Sequence, residues 1–349
     1  MAPITSSWSI EEKNYNENFN KKVLPWVRGF KVKMFKGIKE KKLAYMCFQK
    51  KGALKAIVIS NGRTEYISKY FELAYDIYHS NLNVSVCLYD HRGQGLSERI
   101  LADPRKGHVE DFNYYVDDFA KIIKLVKSMG HTDVYVWGQS MGGGIAIRTA
   151  QKHQNLISGM ILFSPLLGLY TKPLPNWLAD GIAKVMTWLN MGERFIPGTT
   201  YYKVDPSIEG LKNNQNIRSL PRWTMTENFL LPSQKEWAHE TIGGGTVHFL
   251  HQILKTVKAM AKDAHKVTIP TLLIQAGDDA HIDPKKQDSF CKRAKNCKLY
   301  TFNQEKYRNK EGSLPLHELF MDYDNIRNEV LQRSFQFMKD LGVQTTTSD

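Results

Sequence analysis

Val134-Tyr135-Val136-Trp137-Gly138-Gln139-Ser140-Met141-Gly142-Gly143 decides the reading of this chain: strand-forming residues run into a serine set among glycines, and a helical pattern follows to about His153. This is a nucleophile elbow, a sharp strand-to-helix turn that leaves the serine Oγ exposed at its tip. Bulky side chains cannot flank the serine where backbone meets backbone, so the glycines serve the turn and not the chemistry. The following helix points its N-terminus at the serine, and the Met141 N–H and the helix dipole both face any negative charge that develops there.

Working outward, short apolar runs alternate with amphipathic helices from Ala56 onward. Strands are expected at 56–60, 84–89, 134–137 and 160–163, and helices at 67–80 and 112–129. Such alternation gives a doubly wound, mostly parallel α/β sheet. In the second helix Phe112, Tyr115, Val116, Phe119, Ile122, Ile123 and Val126 share one stripe, which reads as core. Upstream, strands at 30–35 and 43–48 joined by a turn around Gly37 form a hairpin. Strand-helix alternation stops at Pro165 and resumes with Thr271-Leu272-Leu273-Ile274-Gln275, so residues 165–269 read as an inserted cap that ends in a helix at 247–260. Residues 1–20 read as a polar N-terminal extension, 21–164 and 270–343 as the core, and 344–349 as a frayed tail. The core closes with a strand at 298–302 and a helix at 325–340.

The composition is that of a globular chain, with 42% apolar residues. No apolar run reaches the roughly 20 residues that span a bilayer, and the N-terminus shows no signal-peptide pattern, so a cytoplasmic location is expected. Four cysteines, Cys47, Cys87, Cys291 and Cys297, have no metal-ligand spacing and read as reduced thiols. Basic residues number 48 against 35 acidic, and residues 21–42 carry nine of them against Glu40 alone. No nucleic-acid-binding motif accompanies that cationic segment, so nucleic acid is not expected; an anionic membrane surface, reached from the inner face, and a merely solvated hairpin surface are the two readings it leaves open. The sequence does not set a subunit number.

A serine at its ordinary pKa needs a base, itself oriented by a carboxylate. With an elbow the chain order is serine, acid, histidine. The strand after the cap ends in Gln275-Ala276-Gly277-Asp278-Asp279, and only one of the two adjacent carboxylates can face the histidine; Asp279 is preferred. Of the histidines downstream, His281 sits in the same loop as the acid, which leaves His317 as the base. The loop Ser60-Asn61-Gly62-Arg63 follows the 56–60 strand and should give the second oxyanion donor, the Arg63 N–H, to pair with the Met141 N–H. The cap tryptophans Trp177, Trp188 and Trp223 are candidates for binding an apolar substrate. Two patterns carry less. Gly93-Gln94-Gly95 lacks the third glycine and the helix of a dinucleotide site and reads as a structural turn. His248 and His251 lack an accompanying acid motif, so no metal and no cofactor is expected.

At this point the chain resembles the serine hydrolases of the monoacylglycerol lipase group, most closely the bacterial lysophospholipases attached to the inner membrane. The resemblance rests on Ser60-Asn61-Gly62-Arg63, on Asp90-His91-Arg92-Gly93-Gln94-Gly95-Leu96-Ser97, on the elbow, and on His317-Glu318-Leu319-Phe320. Leu101-Ala102-Asp103-Pro104, Gly107-His108-Val109 and Asn113 to Asp118 resemble the lysophospholipase branch. It implies an α/β-hydrolase fold, Asp279 as the acid, and a Ser140–His317–Asp279 acyl-enzyme mechanism on lysophospholipids, which are single-chain lipid esters. Monoacylglycerols, thioesters and, more remotely, peptides are alternative substrates, and a non-catalytic binding protein of the same fold is a different class of reading. The family often carries His where this chain has Asn61 and Gln139, and the charged loop 304–315 is long, which would loosen His317.

Overall fold

The computed structural model describes residues 9–171, 173–233, 236–237 and 239–345. Eight strands form one sheet: β1 (Lys33–Lys36), β2 (Lys42–Phe48), β3 (Lys55–Ser60), β4 (Val84–Tyr89), β5 (Asp133–Gln139), β6 (Gly159–Phe163), β7 (Thr271–Gln275) and β8 (Cys297–Thr301). Their order is β1-β2-β4-β3-β5-β6-β7-β8. The hairpin and its junction with β4 are antiparallel, and every pair from β4 to β8 is parallel. Central strands are buried on both faces and therefore apolar throughout, as Val134 to Trp137 and Ile57 to Ile59 are.

Eleven α-helices are described: α1 (Tyr15–Asn18), α2 (Leu24–Arg28), α3 (Phe71–His79), α4 (Phe112–Ser128), α5 (Ser140–His153), α6 (Asn176–Trp188), α7 (Ile208–Asn213), α8 (Leu220–Phe229), α9 (Val247–Lys262), α10 (Pro284–Arg293) and α11 (Asp324–Asp340). One apolar cluster joins α1, α2, α3, α8 and α11 to the sheet, and a second joins α4, α5, α9 and α10 to it. In α4 the stripe read from the sequence is the buried one, and Asp111 caps its start by accepting the Asn113 N–H. Residues 165–269 leave the sheet after β6, carry α6 to α9, and return at β7.

Three expectations change. The segment expected as a polar N-terminal extension, residues 1–20, is folded from Ser9 on: Tyr15 and Phe19 are buried in the first cluster, at a helical spacing that Val23 and Val27 continue into the core. Four apolar residues scattered among asparagines and lysines read as polar until their period is taken into account. The tail at 344–349 is tied down at its start, where Thr345 bridges Leu82; residues 346–349 lie outside the described residues. Finally, the cysteines are paired and not reduced. Cys47 and Cys87 lie directly opposite each other in the β2–β4 register and are disulfide-bonded, as are Cys291 and Cys297. Linear spacing cannot show a partner that lies across a strand pair.

Candidate active site

Ser140 sits where β5 turns into α5, with φ at +50°, in the left-handed region that costs a non-glycine residue on the order of 1–3 kcal/mol. The turn brings α5 hard against the end of β3. A Cβ on Gly142 would come within 2.0 Å of the Ser60 carbonyl oxygen, and one on Gly138 within 2.8 Å of the Gly143 Cα. Bare backbone at these two positions is thus a packing requirement. The Met141 N–H lies in the first turn of α5, where N–H groups have no intrahelical acceptor.

The loop after β7 carries Asp279. Its Oδ1 accepts the N–H groups of His281 and Ile282 at 2.9 and 3.0 Å, and its Oδ2 accepts from His317 Nδ1 at 2.7 Å. Burial acts to raise the Asp279 carboxyl, but the His317 hydrogen bond and charge and the two backbone donors outweigh it, and the group is held below the usual carboxylate range. Burial likewise acts to lower the His317 imidazole; the bond and charge of Asp279, with Glu318 and Glu65 nearby, outweigh it and hold His317 above its ordinary value. Asp278 instead accepts the Leu314 N–H at 2.7 Å, and Asp283 caps α10. His281 Nε2 meets Asn216 Oδ1 at 2.7 Å, and burial, with the His317 charge, pushes it down to about 4, so it stays neutral.

Ser140, Met141, Arg63 and His317 all line one cavity of about 280 Å³. Its far wall is apolar and comes largely from residues 165–269: Leu166, Leu169, Ile196, Phe249, Leu250 and Ile253. Of the three cap tryptophans, Trp177 and Trp188 stand outside this lining, 75% and 80% exposed, and Trp223 is buried away from it. Aliphatic residues and one phenyl ring, not indoles, make the apolar wall.

Sequence reasoning missed a buried network behind the cavity. Glu65 Oε2 accepts from the Gly62 N–H and the Tyr70 hydroxyl, and Lys69 Nζ lies between Glu65 Oε1 at 3.0 Å and Glu318 Oε2 at 2.6 Å. Burial would lower Lys69, but the two carboxylates reverse this and hold it charged. The loop of Gly62 and Arg63 is thereby tied to the residue that follows His317. The signal was present in the i, i+4 spacing of Glu65 and Lys69 just after the loop. Gln139, where relatives often carry histidine, donates from Nε2 to the His317 carbonyl at 3.2 Å. The charged loop is also pinned: Arg218 Nη1 donates to the Ser313 carbonyl at 2.8 Å, and Pro315 accepts from the Gly277 and Asp278 N–H groups. The Gly93–Gly95 turn is structural, with Asp90 accepting the Leu96 and Ile67 N–H groups and Arg92 paired to Asp118. His248 and His251 contact the Glu110 carbonyl and Asp180.

A serine at a strained elbow and a histidine held by a carboxylate, converging at the carboxyl ends of a mostly parallel sheet, define an α/β-hydrolase of the serine type. The family model described as serine aminopeptidase, S33, matches residues 52–305, and the chain belongs to that family. It is 30% identical over 335 residues to a probable lysophospholipase L2 of Haemophilus influenzae, covering 94% of this chain and 98% of that one. It is 29% identical over 310 residues to lysophospholipase L2 of Escherichia coli, covering 87% and 86%. Among solved structures, a soluble variant of the Saccharomyces cerevisiae monoglyceride lipase shares the fold, with a TM-score of 0.65 at 20% identity over 91% of this chain and 96% of that one.

Proposed function

We propose that this chain hydrolyses the acyl ester of lysophospholipids through Ser140, His317 and Asp279. The observation that carries this reading is the sharing of one apolar-walled cavity by the elbow serine and a histidine whose Nδ1 is held at 2.7 Å by a buried carboxylate. His317 Nε2 takes the Ser140 proton as Oγ attacks the acyl carbonyl, and Asp279 fixes the tautomer and stabilises the imidazolium. The Arg63 and Met141 N–H groups receive the tetrahedral oxyanion. His317 then protonates the departing glycerophosphodiester alkoxide, and water activated by the same histidine frees the fatty acid. The apolar wall suits a single acyl chain, and similarity to proteins named lysophospholipase L2 supports the phospholipid as substrate.

A membrane surface is the natural source of such lipids, and two features support contact with it. Residues 21–42 place Lys22, Lys31, Lys33 and Lys42 in solvent, a cationic surface suited to anionic headgroups. The cap helix α6 turns an apolar face outward: Ile182, Val185 and Leu189 are exposed at three- and four-residue spacing, flanked by Trp177 and Trp188. Tryptophan beside aliphatic residues on an exposed helix is the composition of an interfacial element. No helix among the described residues is long and apolar enough to cross a membrane.

The test is fatty-acid release from lysophosphatidylethanolamine and from monoacylglycerol, for wild type and Ser140→Ala. Release that depends on Ser140 and favours the phospholipid supports the reading. A preference for the neutral lipid makes the protein a monoacylglycerol lipase, and release unaffected by Ser140→Ala overturns the mechanism.

A further inference from the structure

Beside the catalytic cavity lies a second one of about 80 Å³, and Thr64, Asn216 and Glu318 belong to the lining of both. At roughly 30 Å³ per water molecule it has room for two or three waters, the size of a small headgroup and not of an acyl chain. Its lining is also different in kind. Tyr66, Tyr202, Trp223 and His239 contribute rings, and Glu227, 3% exposed, contributes a carboxylate. The polar tips of two of these rings are turned to backbone: the Tyr66 hydroxyl donates to the Thr226 carbonyl and Trp223 Nε1 to the Asp205 carbonyl.

Glu227 Oε1 accepts the Tyr202 hydroxyl at 2.6 Å and its Oε2 accepts the Asp205 N–H at 2.8 Å. Both donors are neutral, so the carboxylate is hydrogen-bonded without a counter-ion among them. Lys69 also lines this cavity, but its ammonium is held between Glu65 and Glu318. His239 adds no charge, because burial pushes it down to about 4. Burial raises the Glu227 carboxyl above the usual range, against its two hydrogen bonds and the Lys69 charge. Aromatic rings around an acidic residue are the chemistry that recognises alkylammonium groups.

We propose that the second cavity is a subsite for the ammonium group of a lysophospholipid headgroup, ethanolamine or choline, with Glu227 as its counter-ion. This rests on the lysophospholipid reading above and makes the enzyme selective for zwitterionic over anionic headgroups.

The experiment compares kcat/KM for fatty-acid release from lysophosphatidylethanolamine, lysophosphatidylglycerol and monoacylglycerol of one acyl chain, for wild type and Glu227→Gln. Calorimetry with phosphoethanolamine accompanies it. Wild type is expected to prefer the ethanolamine lipid to the glycerol lipid by about tenfold or more, the factor carried by one charge-assisted hydrogen bond. Glu227→Gln is expected to remove that preference through KM and to leave monoacylglycerol turnover within about twofold. Equal wild-type rates on the two lysophospholipids overturn the subsite while leaving the lysophospholipid reading standing. A loss shared by all three substrates overturns it as well, since that is a structural effect. Cleavage of monoacylglycerol alone overturns the substrate reading; phosphoethanolamine binding that Glu227→Gln abolishes then assigns the subsite to a free phosphoalkylamine, and absent binding removes it. Should Glu227→Gln not fold, Tyr202→Phe, at a position 39% exposed, withdraws a neutral donor from the carboxylate. It is expected to lower KM for the ethanolamine lipid alone, and a KM unchanged or raised for every substrate overturns the proposal.

Discussion

Glu65→Gln is expected to slow ester hydrolysis by roughly 10²-fold in kcat with little change in KM, and to cost about 2–4 kcal/mol of stability. The carboxylate of Glu65 is an acceptor at both oxygens, taking the Gly62 N–H and the Tyr70 hydroxyl on one and the Lys69 ammonium on the other. A glutamine amide has one acceptor oxygen. Whichever way it is turned, its NH₂ group faces a donor, either Lys69 or the Gly62–Tyr70 pair, and a buried donor is left unsatisfied at about 1–3 kcal/mol. Lys69 keeps Glu318, so the full 3–5 kcal/mol of a broken buried pair sets the upper side of the range. For 349 residues the unfolding entropy is roughly 0.7 kcal/mol per kelvin, so each kcal/mol lowers Tm by about 1.4 °C and the variant should melt about 3–6 °C below wild type. The kinetic loss follows from the proposed mechanism because Gly62 precedes Arg63: once the Gly62 N–H is released, the loop no longer holds the proposed second oxyanion donor in place. Thermal unfolding followed by circular dichroism, together with kcat and KM on a soluble short-chain ester, checks both halves. A lowered Tm with kcat within twofold of wild type would refute the reasoning, since it would make Glu65 a structural residue with no hold on the oxyanion loop.

Asp279→Asn is expected to fold and to lose on the order of 10⁴ in kcat, because the amide no longer fixes the His317 tautomer. In wild type kcat/KM should rise with pH through an inflection above 6.5, since His317 is held above that value; an inflection at or below it contradicts the network. The stability that His317 contributes is complete below 6.5 and lost as pH rises through its folded value. That of Asp279, whose folded pKa is depressed, is complete above 3.8 and lost as pH falls through its folded value. The Tm gap between wild type and Asp279→Asn should therefore be widest between pH 3.8 and 6.5, and a gap that widens above pH 8 would contradict this. Trp177→Ala with Trp188→Ala should reduce pelleting with anionic vesicles several-fold and leave turnover of a soluble short-chain ester unchanged; unchanged pelleting would remove α6 from the membrane contact. Thiol titration of the unfolded, unreduced protein should find no free cysteine among Cys47, Cys87, Cys291 and Cys297, and four reactive thiols would restore the reduced reading.

What could be read from the sequence was local. The elbow, the α4 stripe and the continuously apolar central strands are patterns within one element, where period and turn chemistry act over a few residues. The site residues came from chain order along one sheet, and the structure brings His317 to Asp279 and sets Arg63 and Met141 in the cavity lining that includes Ser140. What escaped depends on contacts between distant segments. Cys47 and Cys87 are 40 positions apart and meet only because β2 and β4 pair in one register. The tryptophans of the cap read as a substrate wall on hydrophobicity alone, yet an indole on an outward helix face and one beneath it have the same composition. Trp177 and Trp188 fall on the outside, and the wall is built from Leu166, Ile196, Phe249 and Ile253.

The same distant contacts decide how His317 is held. His317 Nδ1 is bonded to the β7 loop through Asp279, its carbonyl oxygen to the elbow strand through Gln139, and the neighbouring Glu318 to Lys69 beside the Gly62–Arg63 loop. A fourth tie comes from the insertion itself: the Glu318 N–H donates to the Asn216 carbonyl at 3.0 Å, and the Asn216 side chain holds His281. Asn214 fixes that stretch by accepting the N–H groups of Asn216 and Ile217 on its side-chain oxygen. Residues 214–217 therefore cannot move away from the core without either breaking the bond to Glu318 or carrying the His317 loop with them. On the apolar side of the cavity the Leu166 N–H donates to the Ser140 carbonyl at 2.8 Å and Leu169 bridges Ile282 in the Asp279 loop, whereas Phe249, Leu250 and Ile253 line it from α9, a helix with no hydrogen bond to these loops among the described residues. On the proposed mechanism, a chain admitted by movement of α9 would leave the base aligned, whereas opening at Asn216, Leu166 or Leu169 would disturb His317, Ser140 or the Asp279 loop.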